Sequence, residues 1–226
     1  MSHASGIVLL AIRGTLAPKT IEEARQVHNE TAGNPQGVEA ARALGDLSHN
    51  VFVPLSPAAG GAAGEILFLD QWNNPAGIQQ FFSDAHVQAG AGLMFTSRDP
   101  VVFAPADDCA SYALATPAGK NDRFVGLLRA TVRSRSVAAD AFNAMTKASM
   151  SAARRAGQIS HHVFYRMTGP GEPPSLDLLG VDVWMDAASM GGFYSDPQHL
   201  APLKDAFAGP PVTSVWKQPA GEWREW

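Results

Sequence analysis

Histidine, aspartate and tryptophan recur at matched places along this chain. His49 and His161 each follow a serine and stand three positions before a phenylalanine. Asp70 and Trp72 recur as Asp182 and Trp184, at the same distance from the histidine. An imidazole titrates near neutrality, so each histidine is a candidate base toward a phenolic substrate. Trp72 and Trp184 offer flat walls and N–H donors for an aromatic ligand. Asp70 and Asp182 can orient a histidine or accept the indole proton. His86 and His199 lie in or just past the second helix of each half and are further candidate bases. Tyr165, Tyr194 and Arg129 are candidates to steady a developing oxyanion. Each residue also has a structural reading: a core histidine copied with the repeat, a tryptophan packed beneath a helix, a histidine in a solvent-exposed loop.

Other chemistries find no pattern. There is no HxH, HExxH or CxxC spacing, so no metal site is expected. His161 and His162 are neighbours on a strand, point to opposite faces and cannot chelate one ion together. Gly60-Gly61 and Gly191-Gly192 are isolated pairs rather than a phosphate loop, and no GxSxG elbow is present. Cys109 is the single cysteine, so no internal disulfide forms and a reducing compartment fits. The net charge of -4 and pI near 5.9 argue against a nucleic-acid or anionic-membrane binder. Arg129, Arg133 and Arg135 read as a solvated face. The apolar run Ile7 to Ile12 ends at Arg13, too short for a signal peptide or a membrane span, so a cytoplasmic location is expected.

The elements that must position these residues come in two sets. Residues 45–84 and 157–196 align without a gap, and twelve of the forty positions are identical. Unrelated stretches would match at roughly one position in fifteen. The chain therefore reads as an internal duplication. In the first copy, residues 7–16 read as a buried strand and Thr20 caps a helix that the Gly33–Gly37 stretch interrupts and Gly45 ends. Residues 47–55 and 65–72 are strands. Asn74-Pro75 opens a helix carrying Ile78, Phe81 and Phe82 to about residue 91, and Pro100 to Phe103 is a fourth strand. Strand alternation predicts Leu47, His49 and Val51 on one face. The second copy repeats the order, with one unbroken helix over SVAADAFNAMTKASMSAARRA.

The order β-α-β-β-α-β is the ferredoxin-like unit of the α+β class. Two tandem units would cover each other by packing sheet to sheet as an intrachain α/β barrel. The expected boundaries are 1–105 for the first repeat, 106–122 for a linker, and 123–226 for the second repeat with its Trp-rich tail. Trp223 and Trp226 in that tail are expected to cover a barrel end or a subunit contact. Copy two carries His162, Tyr165, Arg166 and Tyr194 where copy one has Asn50, Val53, Pro54 and Phe82. Those differences point to the second half as the working site.

The segments DQWNNPAGIQQFFSDAHV and DVWMDAASMGGFYSDPQHL resemble the dimeric α/β-barrel superfamily, in particular its antibiotic-biosynthesis-monooxygenase and stress-responsive domains. Those share a strand ending in an acidic-x-Trp motif, a helix, then an aromatic and a His near a small-residue/Asp/Pro turn. The resemblance spans both repeats. It implies one of several activities: cofactor-independent oxygenases, ring-cleaving isomerases, haem-degrading enzymes, fused-repeat haem dismutases, or domains without known activity. Fold analogy alone selects none. Haem-degrading members carry an Asn on the first strand, and IVLLAIRGTL has none. They also hold Trp and His close together on the second helix, whereas Trp72 stands at a strand end, well before His86. The fused haem dismutases use an axial His and a distal Arg in the second repeat, for which His199 and Arg129 are the candidates.

Three readings follow. The first is a small cofactor-independent monooxygenase, or a related isomerase, acting on an aromatic or polyketide-like substrate in the second repeat. His161 or His199 would be its base, with Tyr165, Tyr194 or Arg129 at the oxyanion. Trp184, Asp182, Tyr194, Trp72, His49 and His86 make up its substrate-binding set. The second is a non-catalytic ligand-binding or stress-related barrel whose pockets are filled. The third is a haem-binding fused-repeat barrel. The expected partner is a small aromatic or apolar ligand, with no nucleic acid and no membrane; a homodimer is the remaining option for self-association. No cofactor is expected under the first two readings, and haem under the third.

Overall fold

Capping side chains set where the helices begin. Thr20 accepts a hydrogen bond from the Glu23 N–H and opens α1 (Ile21–Glu30), and Asn34 accepts from Gly37 to open α2 (Pro35–Ala43). Gly45 and Gly157 follow the next helix ends at φ 108° and 98°, a backbone region where glycine carries no Cβ penalty. The computed structural model describes residues 6–56, 64–114 and 123–226. Gly60-Gly61 and most of the expected linker's second half lie outside the described residues.

The chain divides into two units, Met1–Val102 with Gln218–Trp226, and Phe103–Lys217. The tail expected with the second repeat therefore belongs to the first unit. Part of the expected linker forms a short strand in the second unit.

In the first unit, β1 (Val8–Leu16), β2 (Asp46–Pro54), β3 (Glu65–Trp72) and β4 (Phe95–Pro105) take the order β4-β1-β3-β2. β3 runs antiparallel to both β1 and β2. The helix expected from Asn74 to about residue 91 is two helices, α3 (Pro75–Ser83) and α4 (Ala85–Met94). Asp84 breaks it by capping the second, accepting from the His86 N–H at 2.8 Å. β4 is longer than the Pro100–Phe103 strand read from sequence. Leu10, Ile12, Val51, Ile66, Phe68 and Trp72 build one core with the helices and with Trp223 of the tail.

The second unit repeats that element order. β5 (Tyr112–Ala113), β6 (Phe124–Thr131), β7 (Gln158–Arg166), β8 (Asp177–Trp184) and β9 (Val212–Lys217) take the order β9-β6-β8-β7-β5. Here α5 (Arg135–Arg155) is unbroken, as its sequence predicts, and Ser134 caps it. α6 (Ala187–Ser195) and the short α7 (Pro197–Leu200) follow β8, with Asp186 and Asp196 as caps. The architecture is α+β and ferredoxin-like, with seven α-helices among the described residues. None of the described helices is long and apolar enough to cross a membrane.

One local feature overturns simple alternation. The register shifts between Asp46 and Ser48, and again between Gln158 and Ser160. A bulge there adds a residue and reverses the faces before it. Leu47 is consequently 45% exposed and does not share the face of His49; buried Asp46 takes that place. Gln158 holds the equivalent buried position in the second unit.

Candidate active site

The β7–β8 register sets His161 opposite Asp182 on one face of the second unit's sheet. His161 Nδ1 lies 2.6 Å from Asp182 Oδ1. A carboxylate at that distance accepts the Nδ1 proton, which leaves Nε2 with the free lone pair. The second oxygen of Asp182 accepts a hydrogen bond from the Tyr194 hydroxyl of α6. Trp184 Nε1–H in turn donates to the Tyr194 oxygen at 3.4 Å. Burial, reinforced by the Asp182 charge and hydrogen bond, pushes the Tyr194 phenol well above its ordinary value, so it stays protonated.

His161 stands on the wall of a cleft of ≈240 Å³. Phe142, Met145, Leu203 and Val215 supply apolar walls, and the Phe142 ring stacks on His161 with centroids 6.3 Å apart. Two polar atoms of this wall, His161 Nε2 and Thr146 Oγ1, are buried without a partner among the described residues. An unpaired buried polar atom is uncommon and marks a place where a ligand group can complete the bonding.

Two substitutions between the copies create this space. Opposite Asp70, β1 places Leu10; opposite Asp182, β6 places Gly126. A Cβ at Gly126 would lie 3.0 Å from the Tyr194 hydroxyl, so only glycine lets Tyr194 reach Asp182 unhindered. Phe68 in β3 packs its ring 5.0 Å from His49. The corresponding β8 residue, paired with Val163 as Phe68 is with Val51, is Gly180, and it lines the cleft.

In the first unit the same histidine is sealed into a network. Asn29 Oδ1 accepts the Arg224 N–H at 3.0 Å, and its amide nitrogen donates to the Glu222 carbonyl at 2.8 Å. Those backbone partners fix the amide orientation, so the His28 Nδ1 at 3.0 Å must donate to Oδ1. Burial, helped by the charge on His49, pushes His28 down to about 4, and its neutral ring can only accept at Nε2. His49 Nε2 lies 2.9 Å away and must carry the proton between them. His49 Nδ1 donates to Asp70 at 2.8 Å. His49 is thus an imidazolium. Burial alone would lower its pKa, but the charge and hydrogen bond of Asp70, with Asp46 and Glu225 behind, hold it above the ordinary value.

The tail closes over this pair. The His49 N–H donates to the Trp226 carbonyl at 2.7 Å, and the Trp226 N–H returns a bond at 3.2 Å. The Trp226 ring stacks on His49 with centroids 4.6 Å apart, and Trp223 tilts over His28 at 5.2 Å. Beside the network lies a cavity of ≈710 Å³, whose lining includes Asp46, Trp72, Phe81 and Trp226. Burial and the Asp70 charge push the Asp46 carboxyl up to about 7, against the pull of His49, the Ser48 N–H and the Trp226 indole.

The residues singled out from sequence separate into groups. His161, Asp182 and Tyr194 meet at one cleft, as His49 and Asp70 meet at the other. Trp184 is fully buried behind Tyr194 and is not part of the cleft lining. His199 stacks on Phe193 at 4.0 Å, with Nδ1 3.0 Å from the Phe193 carbonyl, and is also outside the lining. Tyr165 is buried beneath the Arg135 guanidinium, in the core cluster that also holds Phe142, Met145 and Leu203, and is outside the cleft lining; Arg129 is exposed on β6. His86 is exposed at the edge of the first unit's cavity. Sequence reasoning missed Tyr112, Gln158 and Thr146 at the second cleft and His28 and Asp46 at the first. Phe142, Met145, Thr146 and Ser149 do follow helical spacing, a signal that marks the inner face of α5.

Among the described residues no group of three His, Cys, Asp or Glu side chains could hold a metal ion. The second cleft does not fit haem: at ≈240 Å³ it is smaller than the roughly 300–1,000 Å³ of drug-sized pockets, and neither His199 nor Arg129 lines it.

No family profile and no curated protein matches this chain. Solved structures do. An anthrone oxidase-like protein superposes with a TM-score of 0.63 over 97% of this chain and 94% of its own, at 14% identity. A ferredoxin-fold protein of Listeria monocytogenes, described as related to antibiotic biosynthesis monooxygenases, gives 0.52 over 97% and 98%, at 10% identity. A monooxygenase-like protein of Listeria innocua gives 0.53 over 98% and 100%, at 11% identity. At these identities the likeness is one of fold, and the fold this chain shares is that of ferredoxin-like proteins related to antibiotic biosynthesis monooxygenases.

Proposed function

We propose that the second unit is a small monooxygenase that uses no cofactor and acts on an aromatic or polyketide-like substrate with an acidic phenol or enol. The observation that carries this reading is His161: its Nδ1 is held by Asp182 while its buried Nε2 has no protein partner on an apolar cleft wall. In the proposed step the substrate hydroxyl gives its proton to Nε2, and Asp182 stabilises the imidazolium. The resulting anion is electron-rich at a ring carbon and transfers an electron to dioxygen. The carbon–oxygen bond forms between the two radicals, and the peroxide takes back a proton. At a methylene carbon it then loses water and leaves a ketone, so one dioxygen yields one ketone oxygen and one water. The Thr146 hydroxyl, which has no other partner among the described residues, would steady the oxyanion. Tyr194 and Trp184 act behind Asp182 and keep it aimed. The fold likeness to an anthrone oxidase-like protein agrees with a fused-ring substrate activated at such a methylene.

Oxygen uptake with 1,8-dihydroxyanthrone tests the reading. Uptake above the uncatalysed rate should fall on the order of 10²-fold or more in His161→Ala, since a positioned base contributes about 10²–10⁴. Equal uptake by the parent and the variant sinks it. Saturable binding of the anthrone without any uptake would favour the ligand-binding reading instead.

A further inference from the structure

The cavity of the first unit has a polar wall of a different kind. Asp46 and Trp72 are cross-strand partners in the β2–β3 register. Among the described residues, Asp46 Oδ1 accepts no hydrogen bond and Trp72 Nε1–H donates none, and both atoms are buried on this wall. The Trp226 indole nitrogen is also buried with no hydrogen bond of ordinary geometry, although it pulls on the Asp46 carboxyl. An acceptor and a donor left orphaned on cross-strand partners depart from the usual pairing of buried polar groups. A ligand head that both donates and accepts satisfies them together.

The charges select among such heads. His49 is a cation and Asp70 its counter-ion, so the pair presents no net charge. Asp46, held up to about 7 by burial and by Asp70, is about half protonated at neutral pH, and the same burial that holds it there disfavours an ionised head beside it. Phe68, Phe81, Phe82 and Met94 supply the aromatic and apolar part of the lining, and the ionisable side chains Glu30, Asp84 and His86 lie on its exposed part. His49 offers no free base at these atoms, because both its nitrogens are committed.

We propose that the first unit binds a neutral, ring-bearing small molecule with a primary carboxamide or hydroxyl head, which donates to Asp46 Oδ1 and accepts from Trp72 Nε1. This is a binding site without base chemistry, and it does not depend on the reading of the second unit.

Calorimetric titration of the full chain with 2-naphthamide and with naphthalene tests it, in a Gly180→Phe background, whose new ring fills the second cleft so that the first unit is read. The amide should bind at least about tenfold tighter than the bare ring, the usual scale for completing a buried hydrogen bond. N,N-dimethyl-2-naphthamide keeps the acceptor and lacks the donor, and should lose that gain. Trp72→Phe and Asp46→Leu should each erase the preference while naphthalene affinity holds. Equal affinity for amide and bare ring overturns the proposal, as it would if water alone satisfied Asp46 and Trp72. A preference that survives both substitutions overturns it as well. The ligand series needs no variant at the site, so a substitution that fails to fold leaves the test intact. Loss of oxygen uptake in His161→Ala with the amide preference retained separates this site from the second one.

Discussion

His28 and His49 meet Nε2 to Nε2 at 2.9 Å, and the proton between them belongs to His49. The assignment follows from Asn29, whose backbone partners force His28 to donate at Nδ1. The duplicated histidine has thereby two fates. In the first unit it is a buried cation with every proton spoken for. In the second, His161 keeps Nε2 free, and that difference separates a structural network from a candidate base.

This assignment predicts the pH dependence of stability. His49 has its folded pKa above 6.5, so its contribution is full below 6.5 and is lost as pH rises through the folded value. Asp46, raised from 3.8 to about 7, also favours the protonated fold, and stability falls as pH climbs between those values. His28, lowered from 6.5 to about 4, works the other way and loses stability as pH drops through that window. Between about 4 and 6.5 the last two oppose each other; above 6.5 the remaining slopes are downward. Thermal unfolding of the first unit should therefore weaken from pH 6.5 to 8.5. A Tm that is flat or rising there contradicts the assignment. Nitrogen-15 imidazole shifts at pH 6 should show His28 neutral with Nδ1 protonated and His49 doubly protonated.

The α+β, ferredoxin-like character of the fold and half of each site were legible in the sequence. The recurrence of His, Asp and Trp, with strand alternation across β3 and β8, was enough to place Asp70 and Asp182 beside their histidines. Alternation failed at Leu47 because a bulge leaves no periodic trace, and so Asp46, and Gln158 at the matching bulge of the second copy, were missed. His28 was invisible because its partner is reached through packing of α1 on the sheet, not through spacing along the chain. Tyr112 sits in a stretch whose composition reads as linker, yet two residues of it pair with β7. Tyr165 misled because a polar residue gained in one copy is as free to point elsewhere in the core as into the cleft, and Arg129 because it stands, like Arg13 of the first copy, on the exposed face of its strand.

Tyr194→Phe should restore the chemistry of copy one, where Phe82 stands. It removes the donor to Asp182 Oδ2 and the acceptor of the Trp184 N–H. Orphaning such buried groups costs about 1–3 kcal/mol, which urea unfolding will read. Gly126→Ala approaches the same point sterically, since the new methyl would meet the Tyr194 hydroxyl at 3.0 Å. If both variants unfold with the parent's midpoint, Tyr194 is not bonded as described.

The tail should be energetically part of the first unit. Trp223 is buried, donates to the Ala220 carbonyl at 3.2 Å and covers His28. Trp223→Ala should cost about 3–5 kcal/mol, the scale for deleting a buried Trp, and should raise the pKa of His28 by admitting water. Denaturant unfolding and the His28 titration check the two effects separately. An unchanged midpoint would mean the tail is dispensable to this core.

Gly180→Phe asks whether the departures between the copies, and not the shared residues, make the working cleft. Phe68 at this place packs against both His28 and His49, whereas Gly180 leaves the corresponding space open beside His161. A Cβ at Gly180 meets Leu128 at 3.6 Å, ordinary contact, so the backbone tolerates a side chain. Glycine is also a poor strand residue, and phenylalanine a good one. The variant should keep or gain stability while a ring fills the cleft, and it should lose anthrone binding and oxygen uptake with His161, Asp182 and Tyr194 all intact. Activity retained beside a filled cleft would place the chemistry elsewhere in the chain. Loss of both fold and activity would be resolved with Gly180→Val, which fills less and suits a strand equally well.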